Sequence, residues 1–146
     1  MKCPFCDARE TEVANTRKTQ KDSSIWRRRK CTSCKKIFST YEKVALDFLI
    51  IKKRNGKCVR YSSQKLFASI YDAVVNGKNH DRGEAARDAE KIVSLIEMQL
   101  LKTHKERIST KEMIEMVADI LETEDPPAFY RYAAYTPYRG KRLGLS

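Results

Sequence analysis

The chain has 146 residues, a formal net charge of +11 and a hydrophobic fraction of 41%. This length allows one ordinary domain or two small ones, and the positive charge favours polyanionic partners. No apolar run is long enough to cross a membrane, and only two residues precede Cys3, so we expect neither a membrane partner nor a secretory signal peptide. A cytoplasmic protein with reduced cysteines is the expectation that follows.

Two Cys-x-x-Cys pairs, Cys3/Cys6 and Cys31/Cys34, lie in the first part of the chain. Each turn presents two thiolates to one side, and two such turns supply the four soft ligands that tetrahedral zinc prefers. Two disulfides would need an oxidising compartment, and a redox Cys-x-x-Cys normally sits beside a helix, whereas these pairs lie in polar, lysine-rich turns. The spacing therefore predicts a zinc ribbon over residues 1–43, with a strand hairpin between the pairs.

Few apolar residues accompany these cysteines, so the metal is expected to supply the missing stability of the ribbon. Structural zinc contributes on the order of 10 to 16 kcal/mol of binding free energy in such small units, and this is also folding free energy. The fifth cysteine, Cys58, has no partner nearby in sequence and is expected to be a reduced thiol in a strand.

A basic run, Arg27 to Lys30, leads directly into the second cysteine pair. Such a run is often only a solvated face, but Trp26 and Tyr41 flank this one, and a rigid zinc turn would fix it in space. Lysine and arginine on a rigid edge can contact phosphates, and arginine can read guanine in the major groove. The residues predicted to bind DNA are Arg17, Arg27, Arg28, Arg29, Lys30 and, more weakly, Thr40.

The character of the chain changes after Glu42 to an apolar, β-prone run that ends at Ile51. Asn55-Gly56 then predicts a hairpin turn, since both residues tolerate positive φ. Ser62 offers an N-cap for an amphipathic helix that stops near Asn76-Gly77.

Three more helices are predicted. One contains Ala89 to Leu100, the next opens with the capping box Ser109-x-x-Glu112, and the last begins near Asp125 with proline at its first position. The whole chain is therefore predicted to be α+β, with a small N-terminal zinc ribbon followed by a mostly helical domain over residues 44–138 that carries a short β-hairpin. Residues 139–146 are expected to form a flexible basic tail.

The hairpin sequence Ile51-Lys52-Lys53-Arg54-Asn55-Gly56, followed by Lys65 at a helix start, resembles the ATP-cone of ribonucleotide reductases. A positive hairpin and a helix N-terminus converging on a polyphosphate make physical sense. The resemblance implies that adenine nucleotides bind Ile51, Lys52, Lys53, Arg54, Asn55, Gly56 and Lys65. The alternative is that Lys53 and Arg54 belong to a solvated turn that binds no ligand. The chain departs from the usual glutamate, proline, phenylalanine and aspartate at residues 59–62, which bears on adenine selectivity or affinity.

The order of these motifs, with Phe38-Ser39-Thr40-Tyr41-Glu42 after the second cysteine pair, resembles the NrdR family of bacterial repressors of ribonucleotide reductase genes. The resemblance implies a zinc ribbon that binds paired operator boxes and a cone that reports ATP and dATP through homo-oligomeric assembly. It also implies cytoplasmic, nucleoid-associated localisation and no catalysis.

Two other classes of protein remain open from the residues. A zinc-ribbon accessory protein of RNA polymerase or the ribosome would use the same basic hairpin on RNA or protein. A nucleotide-hydrolysing enzyme would need a Walker-type glycine loop or a carboxylate cluster for magnesium, and the sequence contains neither.

Overall fold

The computed structural model describes residues 1–19, 24–77, 81–134 and 144. The chain divides into two compact units, residues 1–45 and 46–146. The architecture is α+β, as predicted: one small sheet in the first unit, and four helices with a second small sheet in the second. Apart from Gly144, the predicted tail lies outside the described residues.

The first unit is a three-stranded antiparallel sheet in the order β1-β2-β3. Its strands are β1 (Thr11–Lys18), β2 (Ile25–Cys31) and β3 (Ile37–Glu42). The hairpin predicted between the cysteine pairs is β1-β2, and its register shifts between Val13 and Asn15, where a β-bulge inserts one residue. The third strand was not predicted, although its residues, Ile-Phe-Ser-Thr-Tyr, favour a strand.

The second unit has a sheet in the order β5-β4-β6 and four helices. The strands are β4 (Ile50–Lys52), β5 (Cys58–Arg60) and β6 (Arg107–Ser109), and the helices are α1 (Ser63–Val75), α2 (Arg82–Lys102), α3 (Thr110–Glu124) and α4 (Pro126–Ala134). Strand β6 pairs in parallel with β4 and was also not predicted. It has only three residues, too few for a periodic signal, and its partner lies far away in the sequence.

The predicted helix starts are confirmed. The Ser62 hydroxyl accepts a hydrogen bond from the Lys65 N–H (3.3 Å), and Ser109 and Glu112 form the reciprocal capping box at the start of α3. Pro126 is the first residue of α4, where its missing N–H costs nothing. These ends depend on contacts within one helical turn, which explains why the sequence reveals them.

The hairpin turn predicted at Asn55-Gly56 is present between β4 and β5, but only one of the two residues has a positive φ. Gly56 has a φ of +81°, but Asn55 is not among the residues with positive φ. The Gly56 N–H donates to the Lys53 carbonyl (3.0 Å), and the Lys53 N–H donates to the Lys57 carbonyl (2.8 Å). Asn55 contributes through its side chain, which accepts from the Lys57 N–H (3.1 Å). The loop therefore has three residues and needs only one left-handed residue, the glycine.

The core of the second unit is apolar and continuous across the helices. Its most deeply buried side chains include Leu49, Ile70, Ile96, Val117 and Leu121. They recur at helical spacing on α1, α2 and α3, so each helix contributes one apolar stripe. Within the described ranges, no helix combines the length and apolar character needed to span a membrane.

Candidate functional site

The four cysteines of the two pairs meet at one point of the first unit. Their sulfur atoms all lie within 4.8 Å of one another, and Cys3–Cys34 and Cys6–Cys31 are separated by 3.7 and 3.6 Å. A tetrahedral zinc with Zn–S bonds of about 2.3 Å requires S–S distances of about 3.8 Å. A disulfide would bring two sulfurs to about 2.05 Å, and all five cysteines of the chain are free. The donor set and its spacing fit zinc.

The two cysteine turns have the same backbone geometry. Asp7 and Lys35, which directly follow the second cysteine of each pair, have φ values of 55° and 61°. The Asp7 N–H donates to the Cys3 carbonyl (3.0 Å), which closes the first turn around its sulfurs. In the second turn, the backbone N–H of Cys34 and then that of Ser33 lower the pKa of the Cys31 thiol to about 6. Hydrogen bonds of this kind favour the thiolate that a metal requires.

The strand register divides the basic run between the two faces of the sheet, because neighbouring residues of a strand point to opposite sides. We call one side the Arg29 face and the other the Arg28 face. The Arg29 face carries Thr11, Val13, Thr16, Lys18, Ile25, Arg27, Arg29, Cys31, Phe38, Thr40 and Glu42. The Arg28 face carries Glu12, Asn15, Arg17, Trp26, Arg28, Lys30, Ile37, Ser39 and Tyr41.

On the Arg29 face the arginines bind neighbouring strands. Arg27 forms an ion pair with Glu42 (3.0 Å). Arg29 donates from Nε to the Thr40 hydroxyl (3.3 Å) and from Nη1 to the Thr11 hydroxyl (3.5 Å). These contacts connect β2 to both of its neighbours. Three of the predicted DNA-binding residues, Arg27, Arg29 and Thr40, thus have partners within the sheet.

On the Arg28 face the predicted residues are exposed. Arg28 and Lys30 are successive residues on this side of β2, and both are exposed. The Cζ atom of Arg17 lies over the Trp26 ring, 5.9 Å from its centroid. Tyr41, opposite Trp26 on β3, is 64% exposed. Cations and aromatic rings are therefore interleaved on this side of the sheet.

The second unit has a cavity of about 440 Å³ between the β4-β5 hairpin and helices α1, α3 and α4. Three of the residues predicted to bind nucleotide, Ile51, Lys53 and Lys65, line it together. The other four, Lys52, Arg54, Asn55 and Gly56, do not. The described lining also contains Val59, Arg60, Tyr61, Ser62, Leu66, Ser69, Thr110, Met113, Ile114 and Tyr132.

Strand pairing explains why Ile51 lines the cavity and its neighbour Lys52 does not. Ile51 pairs with Val59, so both face the cavity, whereas the next pair, Lys52 and Cys58, belongs to the opposite face. The lining from α3 and α4 was missed in the sequence analysis because Thr110, Met113 and Tyr132 carried only core or capping signals. The divergent residues 59–62 all line the cavity.

Tyr61 connects this cavity to helix α2. Its hydroxyl donates a hydrogen bond to Glu97 Oε1 (2.9 Å). Burial, followed by the charge of Glu97, raises the pKa of Tyr61, so the phenol stays protonated and remains a donor. A phenylalanine at this position, as in the usual ATP-cone sequence, could not make this contact.

Comparison with known proteins matches two family models to the chain. Residues 1–42 match the N-terminal domain of proteins described as transcriptional repressor NrdR-like, and residues 49–143 match the ATP cone domain. The chain is 34% identical to the transcriptional repressor NrdR of Janthinobacterium sp. (strain Marseille), over 92% of this chain and 83% of that protein. It is 35% identical to the protein of the same name from Polynucleobacter necessarius subsp. necessarius, over 92% and 87%. The corresponding protein of Kosmotoga olearia is 34% identical over 95% and 85%.

Proposed function

The chain belongs to the NrdR family of transcriptional repressors, and from that premise we propose that it represses ribonucleotide reductase genes according to the supply of adenine nucleotides. In this proposal, the zinc ribbon binds operator DNA, and ATP or dATP in the ATP-cone controls oligomeric state and DNA affinity. The protein is a regulator without catalytic activity, and it works in the cytoplasm on the nucleoid.

The observation that carries the proposal is the presence of two separate cationic sites in one chain. The ribbon has a basic sheet next to a four-sulfur cluster, and the second unit has a cavity that carries Lys53, Arg60 and Lys65. A duplex fits an extended basic sheet, whereas a single polyphosphate fits a concave cationic cavity. Such a chain has the two sites needed for a bound nucleotide to control the binding of DNA.

Zinc is the proposed metal, held by Cys3, Cys6, Cys31 and Cys34. When bound, it supplies folding free energy and no chemistry at a substrate. The chain's own contribution is to hold the four sulfurs within 4.8 Å of one another and to favour the thiolate of Cys31 through backbone N–H groups.

The cavity has the chemistry of a nucleotide site. Among its described lining residues there is no aspartate or glutamate to repel phosphates. Lys53 and Lys65 can pair with phosphate oxygens, while Met113, Ile114 and Tyr132 offer apolar surface to a base. The predicted residues outside the cavity, Lys52 and the turn Arg54–Gly56, belong to the same hairpin. We retain them as candidates for contact with phosphates that extend beyond it.

Nucleotide control requires that a nucleotide binds one assembly better than another. A coupling free energy of about 1 to 3 kcal/mol, or roughly 5- to 150-fold in affinity, is typical of such control. We propose that dATP, together with ATP, favours the homo-oligomer whose ribbons are spaced for the two operator boxes.

Fluorescence anisotropy of a labelled reductase-promoter duplex tests this function. The zinc-loaded protein is titrated at fixed salt without nucleotide, with ATP, and with dATP plus ATP, while sedimentation reports its oligomeric state. A scrambled duplex and a structured RNA of equal length serve as controls. Specific binding that changes with nucleotide supports the proposal. Equal affinity under all three conditions would remove nucleotide control, and preference for the RNA would favour an accessory protein of RNA polymerase or the ribosome.

A further inference from the structure

The two faces of the ribbon sheet differ in what their basic residues already contact, and this difference bears on how DNA is bound. We propose that duplex DNA binds the Arg28 face through Arg17, Arg28 and Lys30, an inference that rests on the proposed function. In this arrangement, Trp26 and Tyr41 pack against the duplex backbone, while the Arg29 face holds the three strands together. This narrows the six residues predicted from the sequence to three.

The basic residues of the two faces differ in whether they are available to a phosphate. Within residues 1–19 and 24–45, Arg28 and Lys30 make no ion pair or side-chain hydrogen bond, and both are exposed. Arg27 is already paired with Glu42, and Arg29 already donates to two threonines on neighbouring strands. A phosphate that recruited Arg27 or Arg29 would have to break these contacts, whereas Arg28 and Lys30 lose only water.

The two faces also differ in how their charges are paired. The Arg28 face carries three cations and a single acid, Glu12, which lies opposite Lys30 at the cysteine end. The Arg29 face has the same formal charge, with Lys18, Arg27, Arg29 and one acid, Glu42. There, however, Glu42 pairs with Arg27, and Arg29 donates to two threonines. Phosphate contacts release counterions from the duplex, so a face without ion pairs gains more from DNA than one whose two arginines already bind neighbouring strands.

The aromatic residues favour a duplex over a single strand. A single strand binds by stacking successive bases on several exposed aromatic rings, but on this face the guanidinium of Arg17 lies over the half-buried Trp26 ring, which leaves Tyr41 as the one strongly exposed ring among its described residues. A covered ring can still pack against sugars at its edge. Tyr41, at 64% exposure, offers a hydroxyl and a ring beside these cations. The face therefore suits the backbone of a double helix.

Two double variants that lose the same charge separate the faces. In Arg28→Gln/Lys30→Gln, we expect duplex affinity to fall by more than about tenfold. The slope of log affinity against log salt should shrink by about 1.8, because each lost phosphate contact removes about 0.9. In Arg27→Gln/Arg29→Gln, the slope should equal that of the wild type, while the melting temperature of the ribbon falls. Zinc content and circular dichroism verify that each variant is folded.

A second measurement needs no variant. Trp26 is the only tryptophan of the chain and lies on the Arg28 face. Saturating duplex should therefore protect its fluorescence from quenching by acrylamide, a neutral quencher that DNA charge does not repel. This reading stands even if Arg27→Gln/Arg29→Gln fails to fold.

The outcomes distinguish this inference from the function on which it rests. Wild-type protein that binds the duplex while Trp26 stays fully accessible would overturn the face but leave DNA binding intact. The face would also be overturned if the salt slope shrank only in a folded Arg27→Gln/Arg29→Gln variant. Tighter binding of a single strand than of the duplex of the same sequence would overturn it as well. Wild-type protein that binds no duplex at any salt concentration would overturn the proposed function and the inference with it.

Discussion

The ribbon and the helical unit are stabilised in different ways. Among the described residues of 1–45, only Cys3, Ser24 and Cys31 are buried, whereas in the second unit buried apolar residues extend across all four helices. A unit with so little buried apolar surface cannot offset the entropy of ordering its chain, so we expect it to depend on a metal. One chain can therefore contain two parts whose stabilities respond to different conditions.

The largest expected effect comes from removing the metal. Cys31→Ser, or treatment with a strong chelator, should forfeit much of the roughly 10 to 16 kcal/mol of zinc binding and unfold the ribbon. Trp26 fluorescence reports the ribbon, and far-ultraviolet circular dichroism reports the helices. DNA binding should be lost while helical signal and nucleotide affinity stay unchanged. A variant that kept stoichiometric zinc, or whose helices melted together with the ribbon, would contradict this division.

The converse change is a cavity in the helical core. Ile96→Ala removes a fully buried side chain from α2 and should lower the free energy of unfolding of the second unit by about 2 to 5 kcal/mol. Urea denaturation followed at 222 nm measures it, and Ile37→Ala, at a 47% exposed position of β3, is the matched control. Zinc content should not change. Loss of zinc from Ile96→Ala would show that the two parts do not respond separately.

A smaller effect is expected for the nucleotide cavity. Lys53→Ala should weaken ATP binding by about 1.5 to 3 kcal/mol, the range for a hydrogen bond to a charged group. Its neighbour Lys52 pairs with Cys58 on the other face of the hairpin, so Lys52→Ala should cost less. Isothermal titration calorimetry measures both, and DNA affinity without nucleotide should be unaffected. Equal losses in the two variants would argue that the phosphates lie outside the cavity.

The smallest expected effect concerns acid stability of the second unit. The Lys105 ammonium and then the Ser109 N–H lower the pKa of Glu112 from 4.5 to about 2. A carboxylate with a depressed pKa stabilises the folded state fully above its unfolded pKa and loses this contribution as pH falls through the folded one. The melting temperatures of wild type and Glu112→Gln should therefore differ at neutral pH and converge between about pH 4.5 and pH 2. A difference that persisted at lower pH would assign the effect to packing.

The features that the sequence analysis predicted correctly are those whose cause is local. The capping hydroxyls of Ser62 and Ser109 bond an N–H three residues away, and Pro126 fits the first turn of α4 on its own geometry. The two cysteine turns likewise repeat one local conformation, with a left-handed residue after each pair. Signals of this kind survive in any tertiary context, which also explains why the order of motifs led to the right family.

The features it missed depend on partners far along the chain. Strand β6 exists only because β4 offers it an edge, and the cavity acquires Thr110, Met113 and Tyr132 only when α3 and α4 pack against the hairpin. The division of the basic run is an intermediate case. The two-residue period of a strand could have separated Arg27 and Arg29 from Arg28 and Lys30, had β2 been recognised as a strand throughout.

By itself, then, the sequence determined the four-cysteine cluster, the starts of α1, α3 and α4, and the family, because spacing and capping act over a few residues. Only the tertiary structure decided which cations are available and which are bound, because that depends on strand register and on partners such as Glu42 and Thr40 on another strand. Only packing decided which hairpin residues line the cavity. The face to which a strand side chain points is fixed by the register of the whole sheet. That register joins segments that are distant in the chain.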